Sequence, residues 1–201
     1  MPLPREITIG FPAHVSVSGQ SKCGKTRTVE VLLQKLAEAG ELPRKAFDCG
    51  AVPRLWAEQR AIPLEQLVAE MTPADDQAID RESQEFLLRE PFGIAAGRLT
   101  WWVTRFDEIR QFKVWLMCPD DVCAGRVGVP VEQVARRNED DTRRFREYYG
   151  LEFPPSSLAD LNEKFDLVVS TLSYPADEVG NIILTCGRCW NAGASYEKFH
   201  L

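Results

Sequence analysis

Long apolar runs are missing: none approaches the roughly 18 to 20 residues that a bilayer crossing needs. The opening MPLPREITIG also lacks the basic-then-apolar order of a secretory signal, so the expected location is the cytoplasm, with no membrane partner. A metal cage lacks its parts. Of the six cysteines (Cys23, Cys49, Cys118, Cys123, Cys186 and Cys189), only Cys186-Gly-Arg-Cys189 has metal or redox spacing. A structural zinc site usually needs a second such pair, and none exists. A thioredoxin-like motif would open a helix near the first strand, so the cysteines read as reduced thiols, small hydrophobes in apolar segments. Positive charge is not in excess either. The formal charge of −6 disfavours broad binding to nucleic acid. There is no internal repeat and no low-complexity segment.

What is present is the balance of a globular protein, 44% apolar and 27% charged, in a length that suits one domain with a mobile excursion. Apolar, β-prone runs at His14–Ser18, Lys45–Asp48, Phe92–Ala96, Phe112–Met117 and Phe165–Ser170 alternate with helix-length stretches. The first, Lys25–Ala39, carries Val29, Val31, Leu32, Leu33, Leu36 and Ala37 as a broad apolar stripe, and Gly40 ends it. Such alternation predicts βα units with right-handed crossovers and a parallel sheet covered on both faces. The polar run Val129–Tyr149 predicts a helix with limited core contact, either a solvated surface helix or a mobile lid. Trp190–Leu201 reads as a tail or docking segment with no legible role.

One segment carries explicit chemistry. Gly19-Gln20-Ser21-Lys22-Cys23-Gly24-Lys25-Thr26 fits G-x-x-x-x-G-K-[ST], the P-loop, between a β-prone run and an amphipathic helix. The glycines let backbone N–H groups converge on phosphate oxygens, and the helix N-terminus adds partial positive charge. Lys25 is expected at the β- and γ-phosphates of ATP and Thr26 on Mg2+.

Joined to later segments, the loop resembles the cytidylate kinase family over roughly residues 15–184, with a likeness to its shorter archaeal-type members. Asp48-Cys-Gly-Ala-Val-Pro-Arg54 is similar to the family's D-S-G-A-x-Y-R, with cysteine for serine and proline for tyrosine. Gly97-Arg98 resembles the end of the strand that closes acidic-Gly-Arg, with Ala96 in the acidic position. Arg137, Asp141 and Arg144 match the R-x-x-x-D-x-x-R lid, and helical spacing puts all three on one face. Phe165–Thr171 is similar to the last strand.

The resemblance implies a P-loop NTPase fold, α/β in three α/β/α layers, with a five-stranded parallel sheet and a helical lid. It implies one kinase domain over 1–201: acceptor-binding helices at about 50–90, the lid at about 126–150 and a tail at about 186–201. It implies transfer of the γ-phosphate of ATP, with Mg2+, onto CMP or dCMP. Lys25, Arg98, Arg137 and Arg144 are then catalytic. Asp48, Arg54, Gly97, Arg98, Arg137, Asp141 and Arg144 bind the acceptor: Arg54 and Arg98 its phosphate, Arg137 and Asp141 its ribose, Arg144 its base or phosphate. With Ala96 unable to serve the metal, Asp48 reads either as the substitute carboxylate or as a strand-end residue capping a turn. Two other functions stay open: a nucleotide-binding protein that has kept the fold and lost turnover, and a kinase for another small acceptor.

Overall fold

The computed structural model describes residue 11 and residues 13–105, 109–191 and 199–200. The N-terminal decapeptide and residues 192–198 and 201 of the tail lie outside the described residues. Among the described residues six parallel strands form one sheet: β1 (His14–Gly19), β2 (Ala46–Asp48), β3 (Ile94–Ala96), β4 (Gln111–Met117), β5 (Leu167–Ser170) and β6 (Phe199–His200), in the order β2-β3-β1-β4-β5-β6. The five strands foreseen from the sequence are all there. The sixth, a two-residue strand from the tail, extends the edge beside β5.

The inner strands β1, β3, β4 and β5 are buried on both faces, as a parallel sheet covered by helices must be, while the edge strand β2 is partly exposed. Val15 and Val17 of β1, Phe112, Val114 and Leu116 of β4, and Leu167 and Val169 of β5 share one cluster with α1 (Lys25–Glu38) and α9 (Ala176–Asn191). The alternate residues Trp115 and Val168 face another cluster with Leu99, Trp101, Phe145, Phe153, Leu161 and Phe165. This second layer joins α5 (Thr100–Val103), α7 (Val131–Tyr149) and α8 (Leu158–Lys164). Packing α1 on α9 demands a small residue: a Cβ at Gly180 would stand 2.6 Å from Val31 Cγ1.

Between β2 and β3 the chain folds α2 (Ala51–Arg60), α3 (Leu64–Glu70) and α4 (Pro73–Arg89). The start of α4 is fixed by local chemistry. Thr72 caps it, Asp75 returns the bond to the Thr72 backbone, and Pro73 supplies a preset φ where no N–H is needed. After β4 come α6 (Asp120–Val127) and α7, which ends at Gly150 in a left-handed C-cap. Parallel strands bring their carboxyl ends to one edge, so Gly19, Asp48 and Ala96-Gly97-Arg98 meet there. Open α/β sheets bind ligands at that edge.

Candidate active site

The loop from Gly19 to Thr26 joins β1 to α1. Gly19 is forced by crowding, since a Cβ there would stand 2.6 Å from Leu116 O and 2.7 Å from Cys23 Sγ. Gly24, the α1 N-cap, has φ 101°, a conformation that L side chains rarely adopt. No side chain caps α1 and its first turn holds no acid, so its leading amides and dipole are left for an external anion. Lys25 folds back over the loop, its Nζ donating to Gly19 O at 2.9 Å and Gln20 O at 2.5 Å. The carbonyl of Cys23 accepts from Thr171 Oγ1 at 3.1 Å, and Ser21 N donates to Asn138 Oδ1 at 3.1 Å. The loop is thus held from β5 and from α7 at once.

Asp48 ends β2 in register with Ala96, one strand away. Its Oδ2 accepts from Thr26 Oγ1 at 2.8 Å and from Arg54 at 2.9 Å, and its Oδ1 accepts from Gly50 N at 2.8 Å. Both readings of this residue therefore describe it: it caps the turn into α2, and it brings a carboxylate to the loop threonine. The Ala96 side chain is fully enclosed in the apolar cluster that holds Val17 and Ile94.

Across the cleft, Arg98 pairs with Asp141 of α7, whose side chain is 1% exposed. Burial, and after it the like charge of Arg137, lower the Arg98 pKa; Asp80 of α4 acts the other way. Burial also lowers the Arg137 pKa, against the pull of Asp140 and Glu65. A guanidinium keeps its proton in water at any ordinary pH, so the two form a desolvated positive pair. The second carboxylate oxygen of Asp141 is buried without a partner, the position of an acceptor awaiting a donor. Arg144 pairs with Asp76 of α4, and Tyr149 donates to Asp80. Burial raises the pKa of both Asp80 and Tyr149. Cys49 lies in the same pocket, near Asp80 and Asp48, and burial drives its thiol pKa well up, which makes it a poor nucleophile.

The residues singled out from sequence fall in two adjoining groups, the loop with Thr26, Asp48 and Arg54, and Arg98 with Arg137, Asp141 and Arg144. Sequence reasoning missed Asn138, Thr171, Asp76 and Asp80. Only the last two left a trace, an i,i+4 pair of acids on one helix. It also underrated α7. Val134, Asn138, Asp141 and Phe145 are buried, because Phe145 enters the aromatic cluster and the polar pair find partners on the loop and just after β3. Asn138 also donates to Asp120 Oδ1 at 2.8 Å, tying α6 into the same knot. All six cysteines are free thiols. Among the described residues no helix is long and apolar enough to cross a membrane.

No family model matches the sequence. A cytidylate kinase of Methanopyrus kandleri is 30% identical over 186 residues, covering 84% of this chain and 90% of that protein. The chain belongs to the cytidylate kinase family. Two further cytidylate kinases, from Halobacterium salinarum (27% identity; 89% and 91% covered) and Saccharolobus islandicus (26%; 85% and 88%), agree. Among solved structures, the fold resembles a gluconokinase from Sinorhizobium meliloti (TM-score 0.60, 17% identity, 92% of this chain and 96% of that one). It also resembles shikimate kinase from Aquifex aeolicus (TM-score 0.56, 16%, 90% and 99%). Those likenesses fix the fold alone. As a member of the cytidylate kinase family the chain is a phosphotransferase, a P-loop nucleotide kinase.

Proposed function

We propose that this protein transfers the γ-phosphate of ATP to CMP or dCMP. The observation that carries the proposal is the gathering of Arg54, Arg98, Arg137 and Arg144 beside an uncapped phosphate loop. Such a reaction needs positioning and charge neutralisation more than covalent chemistry. The loop amides and Lys25 hold the ATP phosphates. Arg54 and Arg98 hold the acceptor phosphate in line. Its oxygen is already a nucleophile, so no general base is required.

Mg2+ draws mainly on phosphate oxygens and water and asks for one or two protein oxygens. Thr26 Oγ1 and the Asp48 carboxylate, 2.8 Å apart, fit that need. The ion supplies neutralisation of the β- and γ-phosphates when bound. Asp48 orients the threonine hydroxyl and Arg54 together, which takes over the service that Ala96 cannot give.

In this reading α2 to α4, about residues 50–90, form the acceptor wall, and about residues 126–150 act as the lid. Asp141 and Arg137 face the acceptor ribose, and Arg144 its base or phosphate. The buried, unpartnered oxygen of Asp141 is matched to a ribose hydroxyl donor. Closure brings the α7 arginines onto the migrating charge and keeps water from the phosphate.

The test is a panel assay of ATP and Mg2+ with CMP, dCMP, UMP, AMP, GMP or water, following ADP and phosphorylated product together. CMP or dCMP should give product at the highest kcat/KM, and water little ADP. Preference for another monophosphate transfers the proposal to that acceptor class. No acceptor-dependent ADP leaves the binding-protein reading, which Ala96 at the acidic position favours.

A further inference from the structure

We propose that Lys22 is a catalytic residue, whose ammonium neutralises the phosphoryl group in flight from the crest of the phosphate loop. The inference rests on the phosphotransfer reading above and adds to it a cation supplied by the loop itself.

Lys22 is the fourth of the eight loop residues and has φ +63°, in the left-handed region. Among the described residues only Ala61 and Phe92 share that feature without being glycine. A residue with a Cβ is strained there by roughly 1–2 kcal/mol, a cost that glycine would remove. Strained conformations of this kind persist where the surroundings dictate them, and they cluster at working sites. The surroundings here are explicit. On one side Ser21 N is fixed by Asn138, and on the other the Cys23 carbonyl is fixed by Thr171, with the Cys23 side chain fully buried. The backbone is pinned on both flanks of Lys22, and the long side chain is left outside, exposed.

Arg137 shares this freedom but is largely desolvated, and the remaining cations of the site are already engaged. Arg54, Arg98 and Arg144 each already hold a carboxylate, and Lys25 donates to the loop's own carbonyls. Those groups must exchange a partner to meet an incoming phosphate. Among the described residues Lys22 has no hydrogen bond or ion pair to give up. A flexible four-carbon stem rooted between two pinned residues, at the mouth of an anion cradle, reaches a developing charge without such an exchange.

The chemistry it serves is balanced without a proton from lysine. An acceptor phosphate oxygen forms a bond to the γ-phosphorus of ATP. The bond from that phosphorus to the β,γ-bridging oxygen breaks, and its electron pair leaves with ADP. Charge grows on the bridging oxygen and spreads over the equatorial oxygens. The ammonium of Lys22 donates hydrogen bonds to these oxygens and keeps its protons, as an arginine finger supplied in cis does.

The experiment compares Lys22→Met, Lys22→Gly and Lys22→Arg with the wild type in the full chain. It measures kcat and KM for ATP at saturating acceptor, and Tm. Lys22→Met and Lys22→Gly should each lose about a hundredfold in kcat, the scale of one removed electrostatic donor. Their KM for ATP should stay within about threefold, because the contact belongs to the transition state. Lys22→Gly should keep or raise Tm, since left-handed strain is relieved while catalysis falls, an opposition that a structural role cannot produce. Lys22→Arg should retain about a tenth of wild-type kcat or more, because it keeps the charge. A Lys22→Met enzyme with wild-type kcat overturns the inference, and so does a loss confined to the KM for ATP. The wild type acts as the control: if it turns over normally, these failures sink the role of Lys22 alone. If it makes no acceptor-dependent ADP, the phosphotransfer reading falls first.

Discussion

Replacing Asp48 by Asn separates two jobs that the structure gives to one carboxylate. Asp48 caps the turn into α2 through Gly50 N, and it receives the Thr26 hydroxyl and the Arg54 guanidinium. Asparagine keeps the shape and one acceptor oxygen; with that oxygen on Gly50 N, its amide can only donate to Thr26, which reverses that bond, and it loses the charge that holds Arg54. The Arg54 side chain is 53% exposed, so its pair with Asp48 contributes only about 0–1 kcal/mol after solvent screening. Adding one ordinary hydrogen bond, the total cost to stability is about 1–2 kcal/mol. That is a fall in Tm of roughly 2–8 °C for a chain of this size. The effect on catalysis should be far larger. A full negative charge is lost beside the loop threonine, where preorganised partners are worth about a hundredfold in kcat or more. The assay pairs thermal melting with ADP formation at saturating ATP, Mg2+ and acceptor, and titrates Mn2+ on the ATP complex as a readout independent of turnover. The reasoning is refuted if Tm falls by several degrees while kcat stays within twofold and Mn2+ binds as in the wild type. Asp48 would then be a turn cap and nothing more. Ala96→Asp should lower Tm without raising turnover, since that side chain is enclosed among apolar neighbours.

Arg98→Ala should lower Tm by more than Arg54→Ala, because it strands Asp141 in a site where its side chain is 1% exposed, at a cost of about 3–5 kcal/mol. Arg98→Ala with Asp141→Ala should recover much of the Tm but none of the acceptor affinity; recovered acceptor binding would contradict the assignment of Arg98 to the acceptor phosphate. Asn138→Ala removes two partly buried hydrogen bonds and should cost about 1–3 kcal/mol in denaturant unfolding, with a raised KM for ATP through the freed Ser21 amide. Asp80→Asn should raise Tm at neutral pH. Burial raises the folded-state pKa of Asp80, so its stability contribution is fully present below the unfolded carboxylate range and is lost as pH rises through the folded value. The gain on removing the charge must therefore fade in acid, and an equal gain at pH 3 would disprove the link.

The parts legible in the sequence are those whose cause is local. The P-loop could be read because its glycines, lysine and threonine are contiguous, and α1 because its apolar stripe repeats with the helical period. The inner strands were legible as short β-prone runs, since β1, β3, β4 and β5 are buried on both faces and need little beyond apolar side chains. The resemblance pointed to Arg54, Arg98 and, on α7, to Arg137, Asp141 and Arg144. What stayed hidden depends on distant partners. Thr171 and Cys23 are 148 residues apart, and Ser21 and Asn138 are 117 apart, so no window contains either bond. Asn138 and Asp141 look like a solvated face by composition, yet they are buried because Ser21, Asp120 and Arg98 satisfy them. Strand β6 is two residues long and has no pattern to read.

The electrostatics of the cleft follow from one arrangement. The three arginines proposed for the acceptor side each rest on a carboxylate: Arg54 on Asp48, Arg98 on Asp141 and Arg144 on Asp76. The acids come from β2, α7 and α4: Arg144 with Asp76 ties α7 to α4, Arg98 with Asp141 ties α7 to the end of β3, and Arg54 with Asp48 ties α2 to β2. An incoming phosphate competes with these carboxylates for the same donors. It carries more charge than a carboxylate and offers more oxygens, so the exchange favours the ligand where Arg137 adds a second desolvated guanidinium beside Arg98. On the proposed reading, Asp141, released from Arg98, keeps a buried oxygen to which a ribose hydroxyl would donate. Binding of the phosphate and reading of the sugar would then be one event on α7, because the proposed substrate must replace the same ion pairs that join α7 to its neighbours.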